Sequence, residues 1–182
     1  MRTDELDYHL PPGRIATSPA EPRDSARMLV VSRSDPSILV HARVRDLPGH
    51  LHAGDVMVVN TSRVVPARFV GRNLSTGGAA EGLWLHDAGR GEDGRRIWVA
   101  MIRARRHRRG RVIELDGPGG EPSGVRLEIL GPAGDEPGAW RAAAWSEREP
   151  GLDTPGILAA AGRPPLPPYI RHARRDAGAE TD

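Results

Sequence analysis

The stretch VVNTSRVVPARFVGR, residues 58–72, marks the point where the character of the chain changes. It starts as an apolar run, passes through four consecutive polar residues at 60–63, and after Pro66 resumes as a strand-like run. A strand that only had to be buried would be apolar throughout. We therefore expect the polar step to have a role of its own and Pro66 to lie near a domain boundary.

Short strand-like runs follow Pro66 and alternate with turns rich in Gly, Pro and Asp. They recur about every dozen residues, which is typical of a small antiparallel barrel or sandwich. The runs are ARFVG (67–71), EGLWLH (81–86), RIWVAMIRA (96–104), RVIELD (111–116), VRLEIL (125–130) and AWRAAAW (139–145).

The residues before the polar step predict a mixture of strands and helix. MLVVSR (28–33) and ILVHARVR (38–45) flank SDPS, whose Asp-Pro-Ser is good turn chemistry, so they predict a hairpin. DLPGHL (46–51) predicts a short helix and DVMVVN (55–60) a buried strand. This part of the chain is therefore predicted to belong to a mixed α/β domain.

Helical signals return after the strand-like runs. In DTPGILAAAG, Asp153 is placed as an N-cap, Pro155 lies in the first turn and Gly162 follows the end. An inserted β domain explains this order better than three serial units. We predict a mixed α/β domain over 1–66, an inserted β domain over 67–148 and a return to the first domain over 149–182, which looks incomplete because it closes on one short helix and a polar tail.

The amino-acid composition excludes several kinds of functional site. The 182 residues contain no cysteine, which excludes disulfides, thiolate metal sites and cysteine nucleophiles. All 26 basic residues are arginine, which excludes catalysis by a lysine side chain. Each carries a planar guanidinium group whose N–H donors suit a carboxylate or a phosphate. No apolar run approaches the roughly 20 residues that span a bilayer, and the acidic, proline-broken start is no signal peptide. We expect a cytoplasmic protein without membrane contact.

The positive charge is concentrated in one block. Net charge is +2, yet residues 95–111 carry eight arginines and no acidic residue. A block of this kind is either a solvated face or a surface for the phosphates of a nucleic acid. Both interpretations stay open on the charge pattern alone.

Two motif matches indicate no ligand. Gly89, Gly91 and Gly94 fit G-x-G-x-x-G, but a strand follows them instead of a helix, and Glu92 with Asp93 would repel phosphate, so we predict a hairpin turn. His50 and His52 lack a third ligand nearby and are predicted to be surface residues. No metal site is predicted.

Three groups of residues are candidates for binding an anion or a base. Arg23 and Arg27 are four residues apart, one helical turn, so both forks are predicted to point toward one anion, or else to be plain surface arginines. If 55–60 is a buried strand, its polar end lies at the ligand-binding edge of an α/β sheet. That end carries Asn60, Ser62 and Arg63. The alternative is that the polar step is only a polar crossover between two domains. The segment PPLPPYI, which carries Tyr169, is predicted to be rigid and extended. Alternatively it is a proline-rich strut or a ligand for a proline-recognising domain, and Tyr169 simply packs.

The order of these segments resembles one family throughout. The chain is similar to the S-adenosylmethionine:tRNA ribosyltransferase-isomerases of queuosine biosynthesis. The matching positions are Ile15, Ala16, Pro19, Arg23, Arg27, Gly54, Asp55, Asn60, Arg63, Val64, Pro66, Ala67, Arg68, Thr76, Gly77, Gly78, Glu81 and Pro165–Ile170. Ser62 stands where the family has threonine and keeps a hydroxyl. The family's architecture implies an α/β domain with an inserted β-barrel.

The resemblance implies that the ribosyl group of S-adenosylmethionine, a co-substrate, is transferred in place of its methyl group. The acceptor would be an aminomethyl-deazaguanine at the wobble position of a tRNA, and the product epoxyqueuosine. The sulfonium makes the adjacent ribose carbon acidic, so a positioned base starts the rearrangement. The sequence does not identify that base. We expect a monomer that binds tRNA and S-adenosylmethionine.

The resemblance also suggests roles. Arg23, Arg27 and Arg63 are candidates to hold the methionine carboxylate or a tRNA phosphate. Asn60 and Ser62 are candidates to hydrogen-bond ribose hydroxyls or a base edge, and Tyr169 to stack on an unstacked base. The expected RNA-binding arginines are Arg103, Arg105, Arg106, Arg108 and Arg109.

The match covers about the first half of the family's usual chain. We therefore expect a partial form that is inactive by itself. Two alternatives are a non-catalytic RNA-binding module that works through the barrel and a decayed fragment without function.

Overall fold

The computed structural model describes residues 2–105, 108–176 and 178. Its regular elements are eight strands, two α-helices and four short 3₁₀ helices. The strands are β1 Arg27–Val31, β2 Leu39–Arg43, β3 Arg68–Asn73, β4 Ala79–Arg90, β5 Arg96–Ala104, β6 Val112–Asp116, β7 Pro122–Pro132 and β8 Ala139–Ser146. The helices are α1 Thr154–Ala161 and α2 Pro168–Asp176; the 3₁₀ turns are Thr3–Leu6, Pro12–Arg14, Arg23–Ser25 and Val44–His50.

Strands β3 to β8 form a closed antiparallel barrel in the order β3-β4-β5-β8-β7-β6. All six strand-like runs after Pro66 lie in these strands, so the prediction of a small antiparallel β-barrel is confirmed. Side chains alternate between the interior and the surface, as the burial of β6 and β7 shows. The interior holds Phe69, Trp98, Ile113, Leu115, Val125, Leu127 and Ile129, all almost fully buried.

Helix α1 closes onto the barrel and begins where its sequence predicts. The carboxylate of Asp153 accepts a hydrogen bond from the amide of Gly156 at 2.9 Å, and Gly162 follows the last turn. The capping prediction is confirmed. Ile157, Leu158 and Ala161 are buried and belong to the same apolar cluster as the barrel interior. Burial of this one face explains why so short a helix is stable.

The chain entering the barrel and the chain leaving α1 are tied together. Arg68 and Arg163 form an antiparallel bridge, with the Arg68 amide donating to the Arg163 carbonyl at 3.1 Å and the reverse bond at 2.7 Å. Beside this bridge, a Cβ on Gly162 would lie 2.0 Å from the carbonyl oxygen of Pro66. The close approach therefore requires glycine at 162.

The predicted hairpin before the polar step is also confirmed. Strands β1 and β2 pair antiparallel from Arg27 opposite Arg43 to Val31 opposite Leu39. The turn is held by Asp35, whose carboxylate accepts from the amide of Ser37 at 3.0 Å. The short helix predicted at 46–51 is a 3₁₀ helix, Val44–His50.

The buried strand predicted at 55–60 is wrong. These residues have no regular structure, and Val56 and Val58 are 88% and 92% exposed. A strand is stable only when a neighbouring strand accepts and donates its backbone hydrogen bonds. Within the described part of the chain the β1–β2 sheet has only two strands, and no strand pairs with 55–60.

The chain divides into two compact units. One combines the segment that ends at Ser62 with the segment that starts at Pro167, and the other is Arg63–Leu166, which contains the barrel and α1. The predicted boundaries at 66 and 148 stay a prediction. In the part of the chain that the structure describes, neither helix has the length and hydrophobicity of a transmembrane span.

Candidate functional site

The arginines at the end of β5 lie on the outer surface of the barrel. Met101, Arg103 and Arg105 are exposed, whereas Ile102 is buried and Ala104 packs against the core. This is the alternation expected for a strand with one face in the core. The guanidinium of Arg103 donates to the carboxylate of Glu81 on β4 at 3.2 Å. Arg106 lies outside the described residues.

Arg108 and Arg109 lie in the connection between β5 and β6. The turn closes at Gly110, whose φ of 78° suits glycine, and whose amide donates to the Ile129 carbonyl at 2.8 Å. The guanidinium of Arg111 donates to the carbonyl of Arg105 at 2.8 Å, which ties the two ends of the connection together. The exposed side chains of Arg108 and Arg109 are thus carried on an anchored backbone.

Three adjoining clefts lie on the barrel surface near the end of β5 and the connection between β5 and β6. The first, about 730 Å³, is lined by Arg72, Ala79, Arg103 and Arg105 among others. The second contains Ala79, Arg105 and Arg111, and the third Arg108, Arg109 and Arg111. The shared residues make the clefts continuous, and we call them the arginine track. Of the predicted RNA-binding residues, Arg103, Arg105, Arg108 and Arg109 are brought together here.

Sequence reasoning missed Arg72 and Arg111 as members of the arginine track. The signal was present for Arg72, since its strand neighbours Gly71 and Asn73 are buried and an alternating strand must then expose Arg72. Its position opposite Ala79, however, depends on the register between β3 and β4. The register between two paired strands depends on the turn that joins them and on the packing of both against the core, which the pattern of one strand does not show.

The β3–β4 turn beside the track is organised by the buried side chain of Asn73. Its carbonyl oxygen accepts from the amide and hydroxyl of Ser75 at 3.1 and 2.7 Å. It also accepts from the amide and hydroxyl of Thr76, both at 3.0 Å. The turn that contains Thr76, Gly77 and Gly78 is therefore held from within.

Tyr169 lies on α2 and lines a separate cleft of about 560 Å³ with Ile15, Thr17, His172 and Asp176. The prediction of an extended segment at this tyrosine is wrong, because the helix starts at Pro168. Proline is tolerated in a first helical turn, where its missing N–H is not needed. Tyr169 is 59% exposed, so its ring is available to a ligand.

Arg23 and Arg27 do not share a helical turn, contrary to prediction. The 3₁₀ helix Arg23–Ser25 ends before Ala26, whose ψ of 142° is extended, and Arg27 opens β1. The backbone changes direction between the two arginines, so the helical spacing does not apply. Both are exposed.

The polar step at 60–63 is an exposed connection. The side-chain oxygen of Asn60 accepts from the amide of Ser62 at 2.8 Å, a local turn that Asn commonly makes. Because residues 55–60 form no strand, the predicted sheet edge at this point is absent and that interpretation is wrong. Asn60 and Ser62 belong to the first unit and Arg63 to the second.

The glycine-rich match at 89–94 is a hairpin turn between β4 and β5, as predicted. The Gly91 amide donates to the Arg95 carbonyl at 2.9 Å, and Gly94 has a φ of 78°. His52 lies 3.8 Å from the carboxylate of Asp55. Within residues 2–105, 108–176 and 178, no group of three His, Cys, Asp or Glu residues is arranged to hold a metal ion.

Comparison with known proteins identifies the family. A sequence model described as "Queuosine biosynthesis protein" matches residues 3–181. This chain belongs to the queuosine biosynthesis protein family. The resemblance inferred from the sequence motifs is thereby confirmed.

Curated relatives of this queuosine biosynthesis family member carry one name, S-adenosylmethionine:tRNA ribosyltransferase-isomerase. The protein of Rubrobacter xylanophilus is 43% identical over 171 residues, covering 93% of this chain and 44% of the relative. That of Moorella thermoacetica is 37% identical over 179 residues, covering 98% and 48%. That of Thermus thermophilus is 38% identical over 177 residues, covering 92% and 46%. The chain spans about half the length of the curated relatives it matches.

Proposed function

We propose that this chain takes part in transferring the ribosyl group of S-adenosylmethionine to an aminomethyl-deazaguanine at the tRNA wobble position, which gives epoxyqueuosine. The observation that carries the proposal is the 43% identity, over 93% of the chain, to a relative named as the ribosyltransferase-isomerase. Identity at this level, spread over the whole chain, supports a shared substrate chemistry as well as a shared fold.

The barrel's part in this function is to hold tRNA through the arginine track. The side chains of Arg72, Arg105, Arg108 and Arg109 make no hydrogen bond or ion pair with any other described residue. A guanidinium without a protein partner is free to contact phosphate. No aromatic side chain from the described residues lines the three clefts, so the track should hold the RNA backbone and not read bases.

The first unit supplies candidates for the small-molecule and base contacts. Tyr169 would stack on an unstacked base in the cleft that it forms with Ile15 and His172. Arg23 and Arg27 would hold the methionine carboxylate or a phosphate, and Asn60 with Ser62 would bond ribose hydroxyls or a base edge. Arg63, at the start of the second unit, is the third cation with this role.

We also propose that the barrel is an insertion in a larger mixed α/β domain. The bridge between Arg68 and Arg163 supports this idea, because an insertion must leave its host close to where it entered. Leu29, Val31, Val56 and Val58 are exposed apolar residues of the first unit. We expect them to pack against the part of the relatives' length that this chain does not match.

A chimera tests the enzymatic proposal. The 182 residues would replace the matching half of the Rubrobacter xylanophilus relative, and the product would be incubated with S-adenosylmethionine and tRNA bearing the aminomethyl-deazaguanine. We expect epoxyqueuosine in nucleoside digests of the chimera reaction and none from the 182-residue chain alone. The intact relative is the positive control. A chimera that unfolds cooperatively yet yields no epoxyqueuosine would contradict the proposal.

The second candidate is a non-catalytic RNA-binding module, favoured by Arg72, Arg105, Arg108 and Arg109, whose side chains have no partner among the described residues. It is tested by binding of the 182-residue chain to tRNA over a salt series. Replacing Arg105, Arg108 and Arg109 with alanine should lower the salt slope by roughly one for each phosphate that the variant no longer neutralises. If the triple variant bound with the same affinity and slope, the track would be a solvated face. Binding together with an inactive chimera would favour the module over the enzyme.

A further inference from the structure

The first cleft of the arginine track has two arginines on either side of an alanine. Arg72 on β3 pairs with Ala79 on β4, and Ala80 pairs with Ala104 on β5. Arg105 follows Ala104 directly, one residue past the end of β5, and it lines the same two clefts as Ala79. Arg72 on β3, Ala79 on β4 and Arg105 just beyond the end of β5 therefore follow one another along this cleft.

All three of these side chains face outward. Arg72, Ala79 and Arg105 are exposed, while the adjacent Asn73 and Ala80 are buried in the barrel. Adjacent strands lie about 4.8 Å apart, so the Cα atoms of residues two strands apart are separated by roughly 10 Å. The small methyl of Ala79 leaves the space between them open. Two guanidinium groups that lean inward can meet over this space.

Among the described residues, neither guanidinium has a hydrogen-bond or ion-pair partner. On its other side Arg72 is paired in register with Glu114, but no ion pair between their side chains forms among the described residues. Arg103, by contrast, is bound to Glu81, which also lies 3.5 Å from Arg68. Two guanidinium groups that line one cleft and have no partner among the described residues suit a phosphate, which can accept a bidentate contact from each.

We propose that Arg72 and Arg105, on the two sides of Ala79, form a clamp for a single backbone phosphate of RNA. The clamp rests on the proposed function, since it is a specific site within the tRNA-binding surface. It continues directly into the clefts of Arg111, Arg108 and Arg109. A line of cationic positions along one barrel edge fits an extended polyanion such as RNA better than one acidic side chain of a protein.

Charge alone does not account for this site. The cleft is lined by Arg72, Arg103 and Arg105 but also by Glu81 and Asp116, so the net charge of its lining residues is only slightly positive. Binding there must depend on the open space over Ala79 as well as on the net field. A substitution that fills the space over Ala79 leaves the charge unchanged. It should therefore weaken binding to a shaped clamp but not binding to a diffuse basic surface.

The test uses Ala79→Ile and Arg72→Ala in the 182-residue chain, with a fluorescent anticodon stem-loop RNA followed by anisotropy over a salt series. Isoleucine suits an exposed strand position and fills the gap. Arg141→Ala is the matched control, since Arg141 is an exposed strand arginine of β8 without a partner among the described residues. Ala79→Val is the milder second variant, and thermal unfolding checks that each protein is folded.

We expect Ala79→Ile and Arg72→Ala each to weaken RNA binding by roughly three- to tenfold, with the salt slope of Arg72→Ala falling by about one. Arg141→Ala should bind like the parent, and Asp116→Asn more tightly. If the parent binds RNA and Ala79→Ile binds equally well, the clamp is wrong while the RNA surface stands. If the parent binds no RNA, both fail. Displacement of the RNA by polyglutamate at equal charge concentration would also overturn the clamp.

Discussion

Trp98 and Thr154 are joined by a hydrogen bond that connects the barrel interior to helix α1. The indole N–H of Trp98 donates to the hydroxyl of Thr154 at 3.0 Å, and this hydroxyl donates to the carboxylate of Asp87 at 2.7 Å. Trp98 is the largest fully buried side chain, and Thr154 is the first residue of α1. The pair joins the first residue of α1 to the barrel core.

Replacing Thr154 with valine should destabilise the protein by about 1–3 kcal/mol, because valine keeps the shape but leaves the buried indole N–H without an acceptor. Thr154→Ser, which keeps the hydroxyl, should cost clearly less. Urea unfolding followed by tryptophan fluorescence measures both. Equal stability of the valine and serine variants would show that the hydrogen bond contributes nothing net.

Asn73 should be needed for the β3–β4 turn. Its carbonyl oxygen accepts four hydrogen bonds inside that turn, so Asn73→Ala leaves several donors without an acceptor and should cost about 1–3 kcal/mol. Asn73→Asp retains an acceptor and should be milder. Hydrogen exchange of the Ser75 and Thr76 amides gives the local readout. Unchanged protection of both amides in the alanine variant would refute this role.

Gly162→Ala should be among the most damaging small substitutions. The added Cβ would lie 2.0 Å from the carbonyl oxygen of Pro66 and 2.4 Å from that of Leu158, both backbone atoms. Overpacking of this kind costs about 1–3 kcal/mol and sometimes more. Gly134→Ala is the control, since a Cβ at that residue meets nothing within 4 Å. A melting temperature that falls equally in the two variants would contradict the close approach.

The stability of the barrel should depend on pH through His86 and Glu136. The imidazole Nε2 lies 2.5 Å from the Glu136 carboxylate, and this hydrogen bond raises the pKa of His86 above its usual 6.5. A pKa raised in the folded state adds stability below pH 6.5, which is lost as pH rises through the folded pKa. Melting temperatures measured from below pH 6.5 to above the folded pKa of His86 should fall in the parent as this stabilisation is lost. The Glu136→Gln variant should lack the stabilisation at every pH. A difference between the two proteins that is constant with pH would disprove the link.

Local sequence was sufficient wherever structure depends on neighbours in the chain. The six barrel strands and the β1–β2 hairpin follow from alternation and turn residues, and α1 follows from Asp153 and Gly162. The outward direction of Arg103 and Arg105 follows from the same alternation. These features depend on interactions within a few residues, so their signals are present in short segments.

Tertiary structure decided everything that depends on a distant partner. Residues 55–60 have the composition of a strand but form none, because no described strand lies beside them to complete their hydrogen bonds. Arg72 and Arg105 are 33 positions apart in the sequence numbering and line one cleft beside Ala79 only through the registers of β3 with β4 and β4 with β5. Register is set by the packing of whole strands around one core, and a shift of one residue would turn Arg72 inward.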